Sequence, residues 1–244
     1  MPRSLVVAGC LLMFAGEMSA AEPDLVFLLI GQSNMAGRAP LGEDDQAPLA
    51  GVMLLNGEGR WESATNPLNR YATDRKKIEM QRLGPGDGFA TTLHEALPEK
   101  SIGLIVNARG GTKIDEWVPG KPLYDHMLKR INKLAKKPKF AGVIWHQGEG
   151  NANDPEYLTK LVGLVNNLRS DLKQPELLFV AGEVYGDKPV NGRMKMLPEK
   201  LSGTAVASAD DLTVFDGVHF DNKSQKTLGS RYAKAWLKLS ATDQ

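Results

Sequence analysis

One segment indicates the architecture of this chain: it reads Leu25-Val26-Phe27-Leu28-Leu29-Ile30 and continues as Gly31-Gln32-Ser33-Asn34-Met35-Ala36-Gly37. Six apolar residues in a row are too few for a typical helix and fit a single strand that is buried on both faces. Ser33 follows between small residues, where its hydroxyl can reach the carboxyl edge of a parallel sheet. Ligands bind at that edge in open α/β folds, so the segment predicts both a fold class and a site.

Short apolar runs of the same kind recur along the chain and alternate with segments of helical periodicity. This alternation is typical of βαβ units, and it predicts a three-layer α/β/α sandwich around a central parallel sheet of about five strands. The predicted strands cover residues 25–30, 52–55, 102–106, 142–145 and 177–181, and the clearest predicted helices cover 122–136, a segment that begins at Asp154-Pro155, and 224–239. Residues 22–244 are predicted to form a single domain.

The first 21 residues have the pattern of a signal peptide. Arg3 precedes an apolar stretch, and the small residues Ser19-Ala20-Ala21 follow it as a cleavage site. We therefore expect an exported protein, periplasmic or extracellular. Cys10 is the only cysteine and would leave with the signal, so no disulfide or cysteine-ligated metal is expected in the mature chain.

Charge and hydropathy exclude two classes of partner. The formal net charge is +1, which gives no support for nucleic acid as a partner. After the signal, no second apolar stretch is long enough to span a bilayer, so no membrane partner is expected once the signal is removed.

Four polar segments are expected where strands end, at 31–37, 107–117, 146–151 and 216–219. Because parallel strands bring their carboxyl ends to one edge, these separate segments are expected to form one site. Ser33 is the candidate nucleophile, because a serine hydroxyl needs only a neighbouring base to become reactive. His219 is the candidate base, and Asp216 lies three residues before it, close enough to orient the imidazole.

The other two segments offer hydrogen-bond donors and a second carboxylate. Gly110-Gly111 permits a turn that points N–H groups into a cleft, as an oxyanion hole requires. Gln147 could donate its side-chain N–H to the same oxyanion. Glu149 could orient Gln147, or compete with Asp216 for the histidine. Four further residues are candidates for lining the substrate site: Gln32, Asn34, Arg109 and His146.

Neither a metal nor a cofactor is expected. The four histidines have no ligand spacing typical of a metal site. The segment Gly84-Pro85-Gly86-Asp87-Gly88 fits neither a Walker loop nor a dinucleotide fingerprint, and it is interpreted as a turn that leads into a helix.

The motifs together resemble those of the SGNH (GDSL-type) hydrolases, and more narrowly the group of sialate O-acetylesterases and carbohydrate esterase family 6 acetylxylan esterases. The resemblance rests on four motifs spread over the mature chain: Gly31–Gly37, Gly110-Gly111-Thr112-x-Ile114-x-x-Trp117, His146-Gln147-Gly148-Glu149 and Asp216-Gly217-Val218-His219-Phe220.

This resemblance implies a flavodoxin-like fold and the removal of acetyl groups from sugars without a cofactor. It implies Ser33 as nucleophile, His219 as base and Asp216 as the partner of His219. The implied oxyanion hole consists of the Ser33 N–H, the Gly110 N–H and the Gln147 side chain. The chain departs from the wider superfamily, which has Asn where Gln147 stands, and from many members of the group, which have Ser-Asp where this chain has Gly150-Asn151. Arg109 could bias it towards an acidic sugar.

The sequence thus predicts an exported serine esterase acting on an acetylated carbohydrate, which would be xylan, a related glycan or sialic acid. Two alternatives stay open. One is a lipid or thioester hydrolase of the GDSL type, which would need a strongly apolar cleft. The other is a sugar-binding module without catalysis, which would not need Ser33, Asp216 and His219 together.

Overall fold

The structure is a computed structural model that describes residues 22–134 and 136–242. The predicted signal segment, residues 1–21, lies outside the described residues. Seven strands form one sheet: β1 Leu25–Gly31, β2 Val52–Leu55, β3 Trp61–Ser63, β4 Ile102–Ala108, β5 Phe140–His146, β6 Phe179–Gly182 and β7 Thr204–Ala207.

The strand order is β3-β2-β4-β1-β5-β6-β7. Every neighbouring pair is parallel except β2 and β3, which pair antiparallel. The prediction of a parallel α/β sheet is confirmed, and all five predicted strands are present. The predicted number of about five strands is wrong, because β3 and β7 were missed.

Both missed strands lie at the edges of the sheet, where the apolar pattern is weak. β3 has only three residues, and Glu62 and Ser63 are partly or fully exposed. β7 is a four-residue strand of small side chains, Thr-Ala-Val-Ala, of which only the first and last are buried. An edge strand needs no continuous apolar run, so neither segment shows the signal that identified the central strands.

Alternate side chains of β1 face opposite sides of the sheet and belong to two separate cores. Leu28 and Ile30 pack in the core beneath α3 (Pro122–Ile131) and α4 (Tyr157–Asp171). Phe27 and Leu29 pack in the core beneath α2 (Gly86–Ala96) and α7 (Asn222–Thr242). Because both faces of the sheet are covered by helices, the molecule has the three layers that the sequence predicts.

Three short helices complete the described part of the chain: α1 Ser33–Ala36, α5 Pro189–Lys195 and α6 Leu197–Lys200.

The boundaries of the predicted helices differ from the structure by a few residues. α3 ends at Ile131, five residues before the predicted end, and α4 begins at Tyr157 rather than after Asp154. α7 begins two residues before its predicted start, where Asp221 accepts a hydrogen bond from the Ser224 N–H and caps the first turn, and it ends three residues after its predicted end. Within the described ranges, no helix has the length and apolarity needed to cross a bilayer.

Two glycines allow α2 and α7 to pack backbone against backbone. A Cβ built on Gly229 of α7 would overlap the Pro85 carbonyl oxygen and would lie 2.5 Å from the Phe89 nitrogen. A Cβ built on Gly88 of α2 would overlap the Lys226 carbonyl oxygen. α7 therefore lies against α2 with no room for a side chain at the crossing, which fixes the start of α7, where the segment carrying His219 ends.

Candidate active site

The site lies at the carboxyl edge of the three central strands. Gly31 at the end of β1 pairs with Ala108 at the end of β4 and with His146 at the end of β5. Gly31 has a φ of 139°, and a Cβ there would overlap the His146 backbone. Glycine is required for this close turn, which directs the chain into α1 and places Ser33 in its first position.

His219 reaches this edge from a short loop before α7. Val214 and Phe220 form an isolated antiparallel bridge, and the Phe215 N–H donates to the His219 carbonyl oxygen. Gly217 at the tip has a φ of 84°, which closes the tight turn. The loop therefore presents the imidazole to Ser33 across 186 positions of sequence.

The Ser33, His219 and Asp216 side chains form one hydrogen-bonded row. The Ser33 Oγ lies 2.9 Å from His219 Nε2, and His219 Nδ1 lies 2.6 Å from Asp216 Oδ2. The other carboxylate oxygen of Asp216 accepts from the backbone N–H groups of His219, at 2.7 Å, and Val218, at 3.1 Å. This is the geometry of a nucleophile, a base and the carboxylate that orients the base.

The surroundings of Asp216 keep its carboxylate ionised. Partial burial acts to raise the pKa of Asp216. The hydrogen bonds from the His219 side chain, from the His219 N–H and from the Val218 N–H outweigh burial, and the pKa lies below its ordinary value. Asp216 is therefore available as a negatively charged acceptor over the whole range in which an imidazole titrates.

Gly110 lies directly beside the serine. A Cβ built on Gly110 would lie 3.3 Å from the Ser33 Cβ and 2.5 Å from Arg38 Nη2. Ser33 begins α1, so its N–H is one of the helix's first-turn donors without an intrahelical partner. The predicted oxyanion segment and the serine are thus adjacent, with a donor at the serine position.

The structure gives Gln147 a different environment from the predicted one. Its side chain is fully buried, and Nε2 lies within hydrogen-bond distance of three acceptors: Gln32 Oε1 at 3.2 Å, the Thr112 carbonyl at 3.1 Å and Asn151 Oδ1 at 2.8 Å. An amide has only two N–H donors, so none is left over for an oxyanion. Gln147 therefore braces the loops after β4 and β5 rather than offering a free N–H.

Glu149 does not contact His219, which resolves the choice between two carboxylates. Its Oε1 accepts a 2.6 Å hydrogen bond from Asn34 Nδ2 and lies 3.4 Å from His146 Nε2. Burial acts to raise the pKa of Glu149, but the His146 and Asn34 interactions outweigh it, and the pKa lies below its ordinary value. The carboxylate is therefore held by Asn34 and His146 and is not part of the row formed by Ser33, His219 and Asp216.

Tyr232, which sequence reasoning missed, completes this buried network. Its hydroxyl lies 2.9 Å from the Trp145 carbonyl and 2.9 Å from His146 Nδ1. Since the single hydroxyl proton goes to the carbonyl, His146 Nδ1 is the donor in the second contact. Tyr232 lies in the middle of α7, 86 residues from His146, so its position in the sequence gives no sign of a contact with the site.

Three of the four predicted substrate-lining residues are enclosed. Gln32 is 4% exposed, and Asn34 and His146 have no exposed surface. Asn34 instead binds the His219 loop, because its Oδ1 accepts from the Phe220 N–H and its Nδ2 approaches the Val218 carbonyl. These three side chains are buried beside Ser33, which is itself only 6% exposed, and their role in lining the substrate site stays a prediction. Arg109 is partly exposed, and its Nη1 donates to the Asp74 carbonyl.

Exposed apolar side chains lie beside His219 on its own loop. Phe215 stacks on the His219 ring at a centroid distance of 6.2 Å and is 49% exposed, and Val218 is 43% exposed. A cavity of about 200 Å³ adjoins them, lined in part by Glu149, Tyr185 and Val218. A substrate approaching Ser33 would therefore meet exposed aromatic and aliphatic surface beside the histidine.

Comparisons with known proteins identify the family of this chain. Residues 23–238 match the family described as carbohydrate esterase, sialic acid-specific acetylesterase. A probable carbohydrate esterase from Arabidopsis thaliana is 33% identical over 246 residues, which cover 90% of this chain and 92% of the relative. The crystal structure of that Arabidopsis protein superimposes with a TM-score of 0.79 at 30% identity, covering 89% of this chain and 99% of the other.

Two more distant structures share the fold. NanS matches with a TM-score of 0.66 at 17% identity, covering 91% of this chain and 99% of its own. XAC1771, described as a novel carbohydrate acetylesterase from Xanthomonas citri, matches with a TM-score of 0.65 at 22% identity, covering 89% of this chain and 57% of its own. The family match extends over nearly all of the described residues. The chain therefore belongs to the family of carbohydrate esterases described as sialic acid-specific acetylesterases, and it is a carboxylic ester hydrolase of the carbohydrate acetylesterase type.

Proposed function

We propose that the protein is an exported serine esterase that removes O-acetyl groups from a glycan or a sugar acid through an acetyl-enzyme intermediate. Ser33 acts as nucleophile, His219 as general base and acid, and Asp216 orients His219. The partner is an acetylated carbohydrate rather than nucleic acid or a membrane. Export rests on the signal-like pattern of residues 1–21.

The observation that carries the mechanism is the continuous row from Ser33 Oγ through both nitrogens of His219 to Asp216. Because Nδ1 faces an ionised carboxylate, it holds the proton, and Nε2 is left to accept the proton of the serine hydroxyl. A serine that served only as a helix N-terminal residue would not need a histidine at hydrogen-bond distance.

The proposed reaction has two acyl-transfer steps. His219 Nε2 takes the Ser33 proton as Oγ attacks the acetyl carbonyl, and the negative oxygen lies against N–H groups of the Ser33 and Gly110 segments. The tetrahedral species collapses with loss of the sugar hydroxyl, which takes its proton from His219. Water, activated by the same imidazole, then hydrolyses the acetyl-serine ester and releases acetate.

Acetate release from acetylated xylan, acetylated sialic acids and short acyl esters tests this proposal. Ser33→Ala and His219→Ala should each lower the rate by at least about 10³-fold without loss of folding. His126→Ala is the matched control, because His126 Nδ1 lies 3.0 Å from Asp74 but no serine faces that pair among the described contacts. A fluorophosphonate probe should label Ser33. Full activity in either variant, or no labelling, would contradict the mechanism.

The same panel tests the lipid or thioester alternative. The exposed Phe215 and Val218 side chains beside His219 also suit an aliphatic acyl chain. An acetylesterase should be most active on acetyl esters, whereas a lipid hydrolase should gain activity steadily with chain length. Activity that rises with acyl chain length would replace the proposed substrate class with lipid or thioester substrates, but the roles of Ser33, His219 and Asp216 would stay the same.

A further inference from the structure

Arg38 follows the serine motif and is anchored on one side only. Its Nη1 donates to the Gly37 carbonyl at 2.6 Å and to the Met80 carbonyl at 3.0 Å. These two acceptors use both protons of that nitrogen and hold the guanidinium plane in place. The anchoring carbonyls come from the end of the serine motif and from the loop before α2, so the orientation of Arg38 is set by two separate segments.

The opposite edge of the guanidinium is unbonded. Nε and Nη2 make no hydrogen bond within the described structure, and neither is among its fully enclosed polar atoms. Nη2 lies over Gly110, 2.5 Å from the point where a Cβ would stand, and that point is 3.3 Å from the Ser33 Cβ. The separation of Nη2 and the Ser33 Cβ therefore cannot exceed the sum of these two distances.

The positive charge of Arg38 has no carboxylate partner among residues 22–134 and 136–242. Burial lowers the pKa of Arg38, and no acidic group opposes this effect. A guanidinium stays protonated in proteins, so a partly desolvated cation stands beside the serine without compensation. The unbonded Nε–Nη2 edge is a pair of parallel donors, which matches the two oxygens of a carboxylate.

From this geometry we propose that Arg38 is a specificity-determining residue that binds the carboxylate of an acetylated sugar acid while the acetyl ester lies at Ser33. The inference rests on the proposed function, and it assigns the substrate class to acidic rather than neutral sugars. It also shifts the role of anion recognition from Arg109 to Arg38. Arg109 directly precedes Gly110 in the sequence, and its guanidinium donates a hydrogen bond to the Asp74 carbonyl.

The test compares two substrates that differ only in charge: an O-acetylated sugar acid, as a glucuronoside or a sialic acid, and its methyl ester. For the wild-type protein, KM should be about tenfold lower for the acid, the order of one charge-assisted hydrogen-bonded pair. Arg38→Gln should abolish this preference, and Arg38→Lys should keep part of it as a point charge. Thermal unfolding of both variants checks that the fold is intact.

Two other variants separate Arg38 from general charge effects. Arg82→Gln removes an exposed positive charge from the neighbouring segment and should keep the preference, as should Arg109→Gln. Equal KM values for acid and ester in the wild type, or a preference that survives in Arg38→Gln, would overturn the inference while acetate release still supported the proposed function. If neither ester is hydrolysed, the proposed function fails for these sugars. Calorimetric binding of the deacetylated acid to wild type and Arg38→Gln then decides the inference, and equal affinities would overturn it.

Discussion

Asn34 Nδ2 donates a 2.6 Å hydrogen bond to Glu149 Oε1, so the residue after the serine is bonded to the partly buried carboxylate that follows β5. Asn34 Oδ1 in turn accepts from the Phe220 N–H, next to His219. The relationship joins α1, the loop after β5 and the histidine loop beneath the reacting groups. Polar side chains therefore hold these three segments together. The two carboxylates near the site have separate contacts, because Asp216 faces His219 and Glu149 binds Asn34.

Asp216→Asn should lower kcat strongly and change the free energy of unfolding little. The amide can still accept the backbone N–H groups of Val218 and His219, but it no longer stabilises the protonated imidazole, so the expected loss is about 10³–10⁴-fold. Steady-state acetate release measures this effect. Glu149→Gln is the comparison, and a larger loss of kcat in Glu149→Gln than in Asp216→Asn would mean that the wrong carboxylate has been assigned to His219.

Glu149→Gln should destabilise the fold. The change removes the negative charge that faces His146 while retaining the shape of the side chain and an acceptor for Asn34. A hydrogen bond to a charged group contributes about 1.5–3 kcal/mol and a neutral one about 0.5–1.5 kcal/mol, so the free energy of unfolding should fall by the difference, about 1 kcal/mol. Urea denaturation measures it. Glu176→Gln, at an exposed carboxylate in the loop before β6, is the control and should have no comparable effect.

The contribution of Glu149 should also depend on pH. The pKa of Glu149 is lowered in the folded state from the ordinary value of 4.5, so its stabilisation is fully present above that value. It is lost as the pH falls through the lower, folded-state pKa. The difference in unfolding free energy between wild type and Glu149→Gln should thus shrink as the pH falls below 4.5. A difference that grows on acidification would contradict the charged form of Glu149.

Gly110→Ala should impair activity through crowding. The new methyl group would lie 2.5 Å from Arg38 Nη2, which must move away, and 3.3 Å from the Ser33 Cβ, which must shift slightly. Because a displacement of about 1 Å at a reacting group costs roughly 10²-fold in rate, this smaller shift should lower kcat by less than about 10²-fold. Gly111→Ala is the matched control. Its φ of 78° strains an alanine by about 1 kcal/mol or more, but no atom lies within 4 Å of the new methyl group. The first variant should lose mainly kcat and the second mainly thermal stability.

Gly229→Ala should destabilise the packing of α2 against α7. The added methyl group would overlap the Pro85 carbonyl, so the helices must separate, at a cost of about 1–3 kcal/mol. Gly163→Ala in α4 has no atom within 4 Å of the new methyl group, and the gain in helix propensity should raise stability by about 0.5–1 kcal/mol. Chemical denaturation of both variants tests for opposite signs. A shift in the same direction would mean that the α2–α7 contact is not the cause.

The central strands and the candidate residues of the site could be predicted from the sequence because each has a local signal. The apolar run of β1 and the spacing of Asp216 and His219 are such signals. The edge strands β3 and β7 could not be predicted, because short and partly exposed strands carry no continuous apolar pattern. The environments of Gln147 and Asn34 also could not, because an amide beside a predicted site looks the same in sequence whether it faces substrate or a buried acceptor.

By itself the sequence determined the α/β class, the position of Ser33 after the first strand and His219 as a candidate base with two possible carboxylate partners, Asp216 and Glu149. These follow from hydrophobic periodicity and from the spacing of residues close in sequence. Only the tertiary structure decided that Glu149 binds Asn34 rather than His219, that Gln147 is enclosed, and that Arg38 keeps an unbonded edge beside Gly110. The physical reason is that a buried polar group needs a hydrogen-bond partner, and its partner often comes from a segment distant in the sequence. The packing of the folded chain decides which of these segments lie within hydrogen-bond distance.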